Sequence, residues 1–134
     1  MRSANDDLVV VDASVVVDLL VGPDPGLALA LPNSPWHAPA HLDVEVVHAL
    51  RGLVLGQHIS RPRAVDALRD YADLAITRWP LDHASRHRCL QLADNLTTYD
   101  AGYVALTEGL SSPLITRDRG LATVADRYVT TLTL

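Results

Sequence analysis

Lysine is absent from this chain. All eleven basic residues are arginine, and sixteen acids against them give a formal charge of −5. A net-acidic protein does not hold nucleic acid by broad charge attraction, so a nucleic-acid substrate would need cations to bridge the repulsion. Arginine suits bidentate recognition of phosphate, yet an all-arginine set is also what a biased coding composition produces. Cysteine is nearly absent: Cys89 is alone and has no internal disulfide partner, which fits a reducing cytoplasm. No window holds 18 uninterrupted apolar residues, because Asp12 and Asp18 break the best candidate, so no membrane-spanning helix is expected. The opening MRSANDD lacks the basic-then-apolar layout of a secretion signal. The six histidines show no H-E-x-x-H spacing, which argues against a zinc site and leaves His37, His41 and His48 without an assigned role.

What is present is a 134-residue chain with 49% hydrophobic residues, enough for one compact domain spanning residues 1–134 and too apolar for a disordered chain. LVVVDASVVVDLL, residues 8–20, reads as a short strand buried on both faces, followed by a helix from residue 13 that GPDPG ends. A proline-rich connection around Pro32, Pro35 and Pro39 leads to helical patterns at about 41–55 and 60–73. LAITRW, 74–79, is strand-like; 83–95 and TTYDAGYVALTEGL are helical; LIT is a short strand, DRGLATVAD a turn with a brief helix, and YVTTLTL a last strand. Strands separated by helices point to a three-layer α/β/α sandwich with a mainly parallel sheet, whose ligand sites lie beyond the carboxyl ends of the strands.

Asp12 directly follows LVVV, where an unpaired buried carboxylate is costly, and Asp118 follows LIT by one arginine. Each also reads as an ordinary helix cap. Asp100 lies in Thr97-x-x-Asp100, a capping-box spacing. Asp18, one and a half turns into its helix, reads as a surface residue. Ser14 and Thr116 read as local hydrogen-bonders. In HLDVEVVHALRGL, Glu45 and Asp43 fall on opposite margins of the apolar stripe, and periodicity does not choose between them. Two strand-end acids, one acid in the first turn of a helix and one from a helix after the second strand can meet in one cleft of such a sheet. Carboxylates within about 4 to 6 Å raise each other's pKa unless a cation intervenes. An all-oxygen set selects a hard cation, Mg²⁺ or Mn²⁺.

The pieces VVDASVVVDLL, APAHLDVEVVHALR, LTTYDAGYVALTEG and PLITRDRGLATVA, in that order, resemble the PIN-domain ribonucleases, most closely the VapC toxins of type II toxin–antitoxin pairs. The resemblance places the family's acidic quartet on Asp12, Glu45 rather than Asp43, Asp100 and Asp118, with Ser14 and Thr116 at the polar positions that support it. It implies metal-assisted hydrolysis of RNA phosphodiesters with Mg²⁺, or Mn²⁺ in its place, and 5′-phosphate and 3′-hydroxyl products. Asp12 and Asp100 are the expected direct metal ligands. The resemblance further implies a homodimer and silencing by a VapB-type antitoxin. Without lysine, any grip on RNA would fall to Arg61, Arg63, Arg86, Arg88, Arg117 or Arg119. A haloacid-dehalogenase-type phosphatase would want an acid where Ser14 stands, and a receiver-type phosphoacceptor would want a lysine. A non-catalytic PIN-like binding module is the other alternative, distinguished by indifference to Mg²⁺.

Overall fold

The computed structural model describes residues 8–134. Its elements run β1 (Val9–Val11), α1 (Ala13–Val21), α2 (Leu27–Ala30), β2 (Trp36–Pro39), α3 (Leu42–Leu55), α4 (Arg61–Asp73), β3 (Ile76–Trp79), α5 (His83–Gln91), α6 (Thr98–Leu110), β4 (Leu114–Thr116), α7 (Arg119–Ala125) and β5 (Thr131–Thr133). All strand pairs are parallel, in the order β3-β2-β1-β4-β5.

Side chains alternate across a strand, so one short apolar segment feeds two cores. Val9 and Val11, with Ile115 of β4, pack under α1, α3 and α4 against Val15, Val16, Leu42 and Val46. Val10 and Leu114 face the other way, against Tyr103 and Val104 of α6 and Leu121 of α7. Helices on both faces complete the three layers, and the all-apolar run of residues 8–11 follows from burial on both sides.

Local chemistry sets the boundaries. Asp12, Ser60, Asp82, Thr97 and Asp118 each cap a helix by accepting a backbone N–H. α1 stops at Gly22, where a Cβ would stand 2.5 Å from the Asp18 carbonyl oxygen.

Three expectations change. The proline-rich connection contains a strand, β2, which lies inside the sheet between β1 and β3. Pro39 is tolerated there because β2 registers with β1 only through Trp36 and His37, so its missing N–H falls beyond the last β1 partner. LALA forms the short helix α2, too brief to announce itself by periodicity. α5 ends at Gln91 instead of 95: Ala93 and Asn95 donate three residues back, to Leu90 and Leu92, and this tighter turn lets both Leu92 and Leu96 enter the second core.

The chain builds β1, β2 and β3 outward, then crosses to place β4 on the free side of β1. Strand order therefore reverses between β1 and β4, and the crevice beyond their carboxyl ends is where such sheets bind ligands. Asp12 follows β1, Thr116 ends β4, and Asp118 stands two residues further on.

Candidate functional site

Asp12 is 4% exposed. Its Oδ1 accepts from the Ser14 hydroxyl at 2.6 Å and the Val15 N–H at 3.2 Å, while Oδ2 accepts from the Thr116 hydroxyl at 2.5 Å. Thr116 Oγ1 in turn accepts the Asp118 N–H at 2.9 Å, and Ser14 Oγ accepts the Arg117 N–H at 2.9 Å. Ser14 and Thr116 thus lace the end of β4 to the start of α1. Burial pushes the Asp12 carboxyl above the usual aspartate value, opposed by its hydrogen-bond donors and reinforced by the charge of Asp118.

α3 carries two acids two residues apart, and the structure gives them different surroundings. Asp43 accepts from the Tyr71 hydroxyl at 2.6 Å and from Arg78 Nε and Nη2 at 3.2 and 3.0 Å, so a cation already neutralises it. Glu45 Oε1 accepts from the buried Tyr103 hydroxyl at 2.7 Å and lines a cleft of about 590 Å³ with Ala13 and Asp100. Two acids that helical periodicity leaves equivalent thus differ in their partners.

The Thr97 hydroxyl accepts the Asp100 N–H at 3.2 Å, which is the Thr97 half of the capping box. Asp100 is half-buried, and burial raises its pKa first, then the charges of Asp118 and Glu45. Asp118 is exposed and caps α7 by accepting the Leu121 N–H at 3.0 Å. The capping readings of Asp12 and Asp118 are therefore correct, and they do not exclude a second role, because one carboxylate has lone pairs to spare.

A chain of pairwise repulsion runs from Asp12 to Asp118, from Asp118 to Asp100 and from Asp100 to Glu45. Among the described residues, no three Asp, Glu, His or Cys side chains converge closely enough to hold an ion by themselves. A hard cation that keeps several waters needs only one or two protein carboxylates. The donors are all oxygens, and Arg117, next to Asp118 in the chain, is occupied by Asp18 at 3.0 Å and Asp24 at 3.5 Å. Asp18 is accordingly a structural partner of the TRDRG turn.

Of the six arginines offered by the sequence for RNA, four are engaged. Arg63 donates to the Leu20 carbonyl, Arg86 to the Leu81 carbonyl, Arg88 bidentately to Glu108, and Arg117 to Asp18 and Asp24. Among the described residues, Arg61 and Arg119 make no side-chain hydrogen bond or ion pair. Sequence reasoning missed Tyr103, Gly102 and His41. His41 Nε2 lies 3.7 Å from Glu45 Oε1, and its ring occupies the space over Gly102, where a Cβ would come within 2.5 Å of Cε1. A glycine and a tyrosine one turn after Asp100 were the available signal. His37, by contrast, accepts from the Trp79 indole N–H at 2.9 Å, and the exposed His48 borders the acidic cleft.

Comparison with known proteins follows the same lines. A family model described as PIN domain matches residues 9–127. The chain is 42% identical to Ribonuclease VapC12 of Mycobacterium tuberculosis over 117 residues, covering 86% of this chain and 90% of the relative. It is also 42% identical to Ribonuclease VapC1 of the same organism over 119 residues, covering 87% and 90%. Among solved structures, VapBC-5 of M. tuberculosis, a member of the VapBC family of toxin–antitoxin systems, superimposes with a TM-score of 0.62 at 19% identity, covering 96% of this chain and 99% of that one. At that identity the likeness speaks for the fold.

Proposed function

Because the chain belongs to the PIN-domain family, we propose that it is a divalent-metal-dependent endoribonuclease of the VapC type, the toxin of a type II toxin–antitoxin pair. The observation that carries this reading is the line of mutually repelling carboxylates, Asp12, Asp118, Asp100 and Glu45, at the strand-order reversal. Such repulsion is tolerable at neutral pH when a cation completes the site. Mg²⁺ is the expected ion and Mn²⁺ its substitute.

Asp12 and Asp100 would hold the ion directly, with Glu45 and Asp118 acting from its periphery. When bound, the cation supplies Lewis-acid polarisation of the phosphate and activation of water. The chain's own contribution is positional. Ser14 and Thr116 fix both Asp12 oxygens, Tyr103 fixes Glu45, and the caps of α1 and α7 hold Asp12 and Asp118 against their helices. No side chain is required as a nucleophile. Residues 1–134 act as a single nuclease domain, cytoplasmic and homodimeric, with a VapB-type antitoxin as the silencing partner. No helix among the described residues is long and apolar enough to cross a membrane.

The test is RNA cleavage by the purified chain. Cleavage should require Mg²⁺ or Mn²⁺, stop with EDTA, and be nearly abolished in Asp12→Asn and Asp100→Asn with the fold retained by circular dichroism. Undiminished cutting by either variant, or by the wild type in EDTA, overturns the assignment.

A further inference from the structure

We propose that Tyr99 is a stacking platform for one nucleobase of the RNA beside the scissile phosphate, and that the cleft behind it, between β2 and the start of α6, receives the edge of that base. The inference rests on the nuclease reading above.

Tyr99 is 59% exposed, in the first turn of α6, immediately before Asp100. A single exposed aromatic is ordinary in itself. Tyr99 differs in standing between two openings. On one side is the acidic cleft of Glu45 and Asp100; on the other is a second cleft of about 570 Å³ formed by Ala40, His41, Leu81 and Thr98. That volume falls in the range of small-ligand sites, about 300 to 1,000 Å³.

The ring is also held in place. His41 Nε2 donates to the Tyr99 carbonyl at 3.0 Å, and the imidazole meets the Tyr99 ring edge to face, with centroids 5.7 Å apart and planes at 74°. Tyr103 contacts the imidazole from another direction at 5.2 Å and 83°. Gly102 provides the room, since a Cβ there would strike the imidazole. The Tyr99 hydroxyl has no hydrogen-bond partner among the described residues, so the outer end of the ring is uncommitted. A preorganised aromatic face loses little entropy when a base stacks on it.

The charge balance gives this platform work to do. Four acids repel one another at the strand-order reversal, and Arg119 is the one arginine beside Asp118 that is not engaged among the described residues. Stacking attracts a base without reference to charge and tolerates any base, because each has a π face. Single-stranded RNA, whose bases can splay out, is the substrate form that fits. The uncharged Thr98 hydroxyl and the imidazole of His41 are the groups placed to contact a base edge in the cleft.

The experiment uses the whole chain and a short single-stranded RNA oligonucleotide, with binding followed by anisotropy in EDTA and cleavage followed in Mg²⁺. Tyr99→Ala should weaken binding and raise KM by about 5- to 150-fold, with kcat much less affected. Tyr99→Phe, which keeps the ring, should recover most of that loss. An oligonucleotide made abasic next to the cleaved bond should bind the wild type less tightly and Tyr99→Ala no less tightly than the intact one does. Gly102→Ala, which displaces His41, should reproduce part of the KM increase. Tyr99→Ala binding and cutting like the wild type, or abasic and Tyr99→Ala penalties that simply add, overturns the stacking inference while cleavage stands. Tyr99-dependent binding without metal-dependent cutting sinks the nuclease reading and leaves the base subsite. Absence of RNA binding by the wild type sinks the inference.

Discussion

Asp12 stands at the end of a buried strand with three hydrogen-bond donors on its carboxylate and a raised pKa. Its folded pKa lies above the ordinary 3.8, so in the metal-free protein the folded state binds more protons than the unfolded state over the window above 3.8. Stability then falls as pH rises from 3.8 through the folded value, and the full cost is present once pH exceeds that value. Asp12→Asn keeps the helix cap, since asparagine caps as well as aspartate, and removes the buried charge. We expect its melting temperature in EDTA at neutral pH to exceed the wild-type value by a few degrees, with the difference shrinking in acid. Mg²⁺ should raise the wild-type melting temperature and not that of the variant. A variant that melts lower than wild type in EDTA would show that the Asp12 charge is already compensated by its hydroxyl donors. From sequence, the cost of this carboxylate was legible, because an acid interrupts an apolar run; its lock to Thr116, 104 residues away, was not, since local pattern carries no information on which strand ends adjoin.

At the scale of elements, α3 carries two acids two residues apart with different partners. Asp43 and Glu45 each accept a tyrosine hydroxyl, from Tyr71 of α4 and Tyr103 of α6, at 2.6 and 2.7 Å. Burial and the bond to Asp43 push the Tyr71 hydroxyl up to about 12, with Arg78 opposing and stacked 5.0 Å over the ring. Tyr71→Phe should therefore cost about 1 kcal/mol in a denaturant titration, a charge-assisted hydrogen bond discounted for a half-exposed partner, and leave cleavage intact. Tyr103→Phe removes the same atom from the other acid and should lower cleavage about 10- to 100-fold, as loss of an outer partner of a metal site does. Equal effects of the two variants on cleavage would refute the separation. Periodicity alone placed both acids at the margin of the apolar stripe. The resemblance to a family pointed to Glu45, and the structure gives the two acids different partners. The longer helices were readable because their caps and apolar spacing are local. β2 was not, because three prolines mask a strand whose place is secured by neighbours on both sides.

On the scale of the whole molecule, the charge balance predicts an unusual RNA-binding signature. Proteins that hold nucleic acid by many arginine and lysine contacts lose about 10³- to 10⁵-fold in affinity between 50 and 200 mM salt, because each neutralised phosphate releases counterions. Here the net charge is −5, and most of the arginines named for RNA are spent on carbonyls and carboxylates of the chain itself. If Arg119 and one further arginine reach phosphates, about two contacts on a single strand give a log–log slope near about −1.4, or roughly sevenfold over the same salt range. Arg119→Ala should reduce that slope by about half and weaken binding to all sequences alike, since a phosphate contact carries no base information. The measurement is RNA affinity of the purified chain in EDTA across a salt series. A slope steeper than about −4 would mean that six or more phosphates are gripped, that the intramolecular arginine pairs open on binding, and that affinity comes from charge instead of from stacking.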